Sequence, residues 1–237
     1  FEQSAEQASN IATAQLAEVQ ALLNWNRLLG RMSSPNLDLV RKNKERVLFL
    51  LDKLPESRDK VYALIHLGAP SPPFPRLERG EERARLLGRA IATARSIRDS
   101  RAESFALGSL GHLYEEAGQY TEAMELTQQA IFAAQKVNAA DSLYRWQWQA
   151  GRVFKVTDDR VRAIASYESA IAALQSIRSD ILVANKELQF NFRDSVEPVY
   201  RELMGLLLEE GGRDSVVGSR EESHSIPNYQ KVINILE

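Results

Sequence analysis

The sequence predicts an all-α fold of stacked antiparallel helix hairpins, with extra helices at both ends. Three observations carry that expectation. First, near-copies of one short stretch recur at a spacing of 40: "AIATARSIRDS" from Ala90, "AIFAAQKVNAA" from Ala130 and "AIAALQSIRSD" from Ala170. Repetition on this scale marks a solenoid, propeller or array, whose units cannot bury their apolar faces alone. Second, the repeats are rich in Ala, Leu, Glu, Gln and Arg, all good helix formers. Third, their apolar residues fall three and four apart, at Leu107, Leu110, Leu113 and Tyr114 and again at Ala123, Leu126, Ala130 and Ile131.

Taken in order, residues 4–29 form one long amphipathic helix carrying Ile11, Leu16, Val19, Leu22, Leu23 and Leu28, stopped by Gly30. After "SSPN", Asn36 can cap a second helix that runs through Leu51. "LPESRDK" is a turn into a third helix, "KVYALIHLG". In "APSPPFPRLERG", prolines 70, 72, 73 and 75 forbid a helix and force an extended loop. That loop lies where the first complete repeat would turn, so the repeat is distorted there or carries an inserted arm. Within a repeat, "EAGQYT" joins two helices, with Gly118 as the stop. After Ile177 the pattern changes to a short helix and then a longer one beginning near Ser195, with Pro198 in its first turn. "GGRDSVVGSREESHS" has the composition of a mobile linker, and a last helix starts near Asn228. The expected organisation is N-terminal helices or a degenerate cap over 1–55, repeats over 56–180 and C-terminal helices over 181–210. A linker over 211–226 and the start of a helix over 227–237 complete it. Phe1 in place of a Met, and the ending "KVINILE", read as cuts in a longer protein.

The small residues indicate how the helices meet. Gly111 and Ala123 are placed where the two helices of one unit cross, and Ala130 where the second helix meets the next unit. A small side chain at such a point lets helix axes approach to about 8 Å. "ALGSLGHLYEEAGQYTEAMELTQQAI" resembles the tetratricopeptide (TPR) repeat, through Leu110, Gly111, Tyr114, Gly118, Tyr120, Ala123 and Ala130. "RWQWQAGRVFKVTDDRVRAIASYESAI" repeats the pattern with Ala150, Gly151, Phe154, Ala163, Tyr167 and Ala170. The resemblance implies a right-handed superhelix whose repeat packing rests on Gly111, Tyr114, Ala123, Ala130, Gly151, Phe154, Ala163 and Ala170. Two departures matter. The period is 40 against about 34 for the standard repeat, so helices or turns are longer. Thr127 takes a place usually held by an aromatic residue, which loosens that unit.

Thirty basic against 32 acidic side chains leave a net charge of -2, and no global field argues for nucleic acid or an anionic membrane. There is no Cys, which excludes thiolate metal sites and a Cys nucleophile in this stretch. No apolar run is long enough for a span and no leader is visible, which favours a cytoplasmic setting. "LGSLG" is not a nucleophile elbow, "EEGGRDSVVGS" is not a phosphate loop, and no enzymatic constellation, metal or cofactor is expected. His112, Glu115 and Glu116 share a helical face, but without HExxH spacing or a third strong ligand they read as a polar groove rather than a metal site. The Arg-rich run from Pro75 to Arg101 could track a phosphate backbone, but reads more simply as a solvated face with pairs such as Glu81–Arg85.

The concave face of TPR helices gives the candidate binding site. By the resemblance, the second, fifth, ninth, twelfth and thirteenth positions of each first helix line the groove. They are Phe105, Gly108, His112, Glu115 and Glu116 in one repeat, and Arg145, Trp148, Arg152, Lys155 and Val156 in the next. An exposed Trp148 beside three cations suits an extended peptide with an acidic or aromatic side chain, and the acidic repeat a basic one. The competing role for Trp148 is packing against a neighbouring helix, and Trp146 belongs to the core. His112 and Arg152 stand where chaperone-binding repeats carry asparagines, so a terminal carboxylate is not the expected ligand. Residues 40–237 also resemble the repeats that precede the caspase-like CHAT domain of cyanobacterial proteins, through "LPESRDKVYALIHLG", "SLYRWQWQAGR" and "SIRSDILVANKELQFNFRDSVEPVYRELMGLLL". The function expected is therefore a protein-interaction scaffold with a protein or peptide partner. The alternative is an intramolecular arm that holds a downstream protease-like domain.

Overall fold

The computed structural model describes residues 2–30, 32–34, 36–69, 80–183 and 197–208. These residues are helices and short turns, with no strand among them. The helices are α1 (Glu2–Leu29), α2 (Leu37–Lys53), α3 (Arg58–Gly68), α4 (Gly80–Ser96), α5 (Ser100–Glu116), α6 (Tyr120–Gln135), α7 (Ala140–Val156), α8 (Arg160–Val183) and α9 (197–208). None is long and apolar enough to cross a membrane. The prolines after Ala69, the linker over 211–226 and the helix expected near Asn228 lie outside the described residues.

The 40-residue period is two steps of 20. Helices α4 to α8 begin at Gly80, Ser100, Tyr120, Ala140 and Arg160. Among the described residues, those with positive φ are Arg98 (55°), Gly118 (74°), Asn138 (49°) and Asp158 (60°), one per step. At three of them the chain closes in the same way. Asp99 N–H donates to the Ala94 carbonyl at 2.9 Å, Gln119 to Tyr114 at 2.9 Å and Asp159 to Phe154 at 2.9 Å. Bonds that span three positions run from Arg98 to Arg95, Gly118 to Glu115 and Asp158 to Lys155. This pairing defines a Schellman end, which satisfies the last carbonyls and reverses the chain in three residues. The longer period thus lies in the helices, 17 residues each in α4, α5 and α7.

The residue after each turn also starts the next helix. Asp99 Oδ1 accepts from Ala102 N–H at 3.0 Å, and Asp159 Oδ1 from Arg162 N–H at 3.0 Å. Asn36 caps α2 as expected, accepting from Leu39 N–H at 3.0 Å, and Ser57 caps α3. Burial opposes ionisation of Asp99, but the Ala102 N–H and the Arg58 guanidinium outweigh it and hold its carboxyl below the ordinary range.

The chain forms two compact units, residues 1–137 and 138–237, a division that the sequence did not signal. In the first, α1 packs on α2, α3 on α4, and α5 on α4 and α6, while α3 touches both α1 and α5. The pairs meet as antiparallel hairpins with α1, α3 and α5 side by side. Buried Asn43 donates to Asn26 Oδ1 at 2.8 Å and Asn26 to the Val40 carbonyl at 3.2 Å, which sets the register of α1 on α2. Gly111, Ala123 and Ala130 are buried, and Ser104, buried beside them, donates to the Ala130 carbonyl at 2.8 Å. Thr127 is fully buried and its hydroxyl donates back to the Ala123 carbonyl at 2.6 Å.

In the second unit α7 packs on α8. Forty residues after Thr127, Tyr167 lays its ring on Gly151, where an added Cβ would come within 2.9 Å of two ring carbons. Ala163 and Ala170 are buried beside it, and Phe154 packs on the same core. From α9, Val199, Leu203, Leu206 and Leu207 enter that core. Their burial stabilises the unit by about 1.5–3 kcal/mol each, so α9 is a fixed part of it. Helix α8 continues unbroken from Arg160 to Val183. It spans the change of pattern expected after Ile177, where the residues remain helix-forming.

Gly151→Ala is expected to lower stability by about 1–3 kcal/mol through overpacking on Tyr167. Gly88→Ala, in open space on α4, should raise it by about 0.5–1 kcal/mol; chemical denaturation that ranks the two the other way would contradict this packing. Because the folded pKa of Asp99 is lowered, its contribution is present above the unfolded carboxylate value, about 3.9, and is lost as pH falls through the folded value. Asp99→Asn keeps the cap and removes the charge. The melting-temperature gap between wild type and this variant should therefore be widest near neutral pH and close in acid.

Candidate functional site

The side-by-side helices α1, α3 and α5 give the first unit one face, and α5 supplies the residues expected for a groove. Phe105 is half-buried, its ring tilted against Tyr62 of α3 with centroids 5.9 Å apart. Gly108 is buried in the helix contact. Two turns on, His112 Nδ1 lies 2.9 Å from Glu115 Oε2. Glu115 is only 14% exposed at its side chain, whereas Glu116 is open and sits 3.7 Å from Arg83 of α4. The sequence expectation of an acidic helix end therefore meets a partner it did not foresee. Arg83, 16% exposed, also donates to the Gly68 carbonyl at 3.1 Å, so that the end of α5 is fastened to the α3–α4 hairpin. Among the described residues no group of three His, Asp or Glu side chains gathers to hold a metal.

In the second unit α7 carries the basic residues. Arg145 is exposed and lies over the Tyr144 ring at 5.2 Å. Arg152 lies over the Trp148 indole at 4.9 Å, and Lys155 and Val156 are exposed at the helix end. Trp148 differs from the exposed anchor that the register suggests. It packs on the core of the unit, and its Nε1–H donates to Glu202 Oε2 of α9 at 3.0 Å. The Tyr167 hydroxyl donates to the same oxygen at 2.7 Å. The physical reason is that α9 packs on the α7–α8 core and covers one edge of Trp148. Arg160 adds a bond to the Leu206 carbonyl. Trp146 is buried, as expected.

Sequence reasoning missed Tyr62, Arg83 and Glu202. Glu202 lies 54 positions from Trp148, and no local spacing links them. The basic run of α4 is also used differently from the solvated face expected. Glu81–Arg85 is an exposed pair at 3.7 Å, but Arg89 reaches Asp52 of α2 at 2.5 Å and Arg95 reaches Glu103 of α5 at 2.7 Å. Those pairs tie helices to one another.

With this geometry in place, the solved structures that the chain is similar to share its fold. BtubC (BKLC) from P. vanneervenii matches with a TM-score of 0.58 over 95% of this chain and 88% of its own, at 13% identity. The nearly identical TPR-like repeats of a Podosopora anserina protein assigned as a kinesin light chain match at 0.56 over 93% and 96%, with 15% identity. The class is therefore an all-α, TPR-like solenoid. No family model matches the sequence, and no curated protein matches it either.

Trp148→Phe keeps the aromatic packing and removes the indole donor, which should cost about 1 kcal/mol. Trp148→Ala should cost more, about 2–3 kcal/mol, by opening the α7–α9 contact. A urea midpoint for Trp148→Ala equal to that of wild type would show that α9 does not rest on this side chain.

Proposed function

We propose that the chain is a protein-interaction scaffold that binds an extended acidic peptide along α7. The observation that carries this reading is the Arg152 guanidinium stacked on the Trp148 indole, with exposed Arg145 and Lys155 on the same helix. Arginine over an aromatic face presents donors in a fixed plane, suited to a carboxylate, while losing little freedom on binding. Trp148 contributes its uncovered edge. The TPR-like fold supports the scaffold reading, and no constellation of nucleophile, base and orienting group supports an enzyme.

The resemblance of residues 40–237 to the repeats that precede CHAT domains supports a narrower form of this reading. In it the chain is a regulatory arm and its partner is a caspase-like domain downstream in the same protein. Binding of this chain in trans to such a domain, expressed separately, would support that form, and no detectable binding would remove it.

The broader proposal is tested by selecting random displayed peptides on the whole chain. Enriched peptides should carry Asp or Glu beside aromatic or apolar residues. The double variant Arg145→Glu, Lys155→Glu should weaken their binding by about tenfold or more, with circular dichroism and melting unchanged. Enrichment of basic peptides, or equal binding by the double variant, would overturn it.

A further inference from the structure

Helix α1 carries apolar side chains on two faces. One face packs on its own unit, where Val19 and Leu23 are buried and Asn26 is bonded to Asn43 and to the Val40 carbonyl. On the other, Ile11, Trp25 and Leu28 are 59%, 52% and 56% exposed, and Ala14 and Ala21 lie exposed between them. With Glu18, these residues follow one another at intervals of 3, 4, 3, 4 and 3. That is the spacing of a coiled-coil seam. Glu18 is the one ionisable residue from Asn10 to Asn26. Its two oxygens accept from Arg46 of α2 at 2.7 and 3.1 Å, so the stripe brings no unpaired charge to a contact. A solvated helix face normally carries charge, and large apolar side chains in one line mark a surface that is covered in use.

The order of the residues indicates what covers it. Turned end for end about a point between Val19 and Gln20, the stripe matches itself. Ile11 falls opposite the second copy's Leu28, Ala14 opposite its Trp25, and Glu18 opposite its Ala21. Each indole and each carboxylate stem then meets a methyl group, while the aliphatic ends meet each other. A parallel pair would instead set Trp25 on Trp25 and Glu18 on Glu18, crowding two rings and opposing like charges. We propose that this face of α1 is the interface of a homodimer, in which the α1 helices of two copies pack antiparallel about a twofold axis. A twofold makes every contact twice and closes the pair. The seam, about 25 Å from Ile11 to Leu28, lies wholly within the first unit and does not depend on the α7 reading.

The test is sedimentation velocity of the whole chain at concentrations up to hundreds of micromolar. The 26.7 kDa monomer should give way to a species of twice its mass. Ala14→Lys sets a charge opposite Trp25 at a position that is exposed in the monomer. It should weaken the dimer by about tenfold or more, with melting of the dilute monomer unchanged. Val161→Lys, at a residue of α8 that is 80% exposed, should leave association as it is. Because the chain has no Cys, introduced disulfides report the direction of the helices. Under oxidation, Ile11→Cys chains should cross-link to Leu28→Cys chains, and neither variant to itself. A chain that stays monomeric, a dimer that Ala14→Lys does not weaken or that Val161→Lys weakens as much, or self-cross-linking of either Cys variant would each overturn the proposal.

Discussion

The left-handed residue that ends each helix is the constraint on which the repeated part of this molecule depends. A Schellman end uses three residues to stop a helix, satisfy its last carbonyls and send the chain back. Found at three of the four left-handed turns that recur every 20 residues, it helps hold α4 to α7 at 16 or 17 residues, and helices of matched length can stack with the same faces in contact. A 17-residue helix is about 25 Å long, so one residue more or less between turns would rotate every following side chain by roughly 100°. Gly151 would then no longer lie under the Tyr167 ring. The spacing of the turns thus decides the packing, and the packing decides which side chains remain for a partner.

The two hairpins α5–α6 and α7–α8 show how one backbone plan tolerates different chemistry. Where Thr127 stands in the first, its hydroxyl is absorbed by its own helix, at the Ala123 carbonyl. Where Tyr167 stands in the second, the ring fills the space over Gly151 and the hydroxyl reaches across to Glu202. A repeat hairpin cannot bury its apolar face alone. Here α9 covers that of α7–α8 with four aliphatic side chains and one carboxylate that accepts from two aromatic donors. That carboxylate orients α9 on α7 and α8, because both donors converge on one oxygen. It also explains why Trp148 serves the fold as well as any ligand.

Much of this was legible in the sequence, for identifiable reasons. Helix class, the 40-residue period, the Asn36 cap, the Gly118 stop and core Trp146 all follow from local spacing and turn chemistry. Asn138 and Asp158 belong to the few non-glycine types that enter the left-handed region with some ease, so the 20-residue step was also written there, though less plainly. Arg98 carries no such signal. The candidate site was legible only along single helices. Which residues share a face of α5 or α7 follows from a period of 3.6, whereas Arg83 beside Glu116 or Glu202 beside Trp148 requires the stack itself.

The ionic residues then divide by the length of chain they bridge. Pairs between different helices, such as Lys44–Glu82 at 2.8 Å and Arg46–Glu18 at 2.7 Å, hold neighbouring elements in register. Exposed pairs of this kind add little stability individually, but each excludes the sideways slip that smooth aliphatic packing permits. A cation with such a partner is occupied by the fold. Arg145 and Lys155 on α7 face solvent without a described carboxylate, and the fold gains nothing evident from their charge. Recognition by charge in a solenoid has to come from that remainder, because the repeating contacts consume the rest.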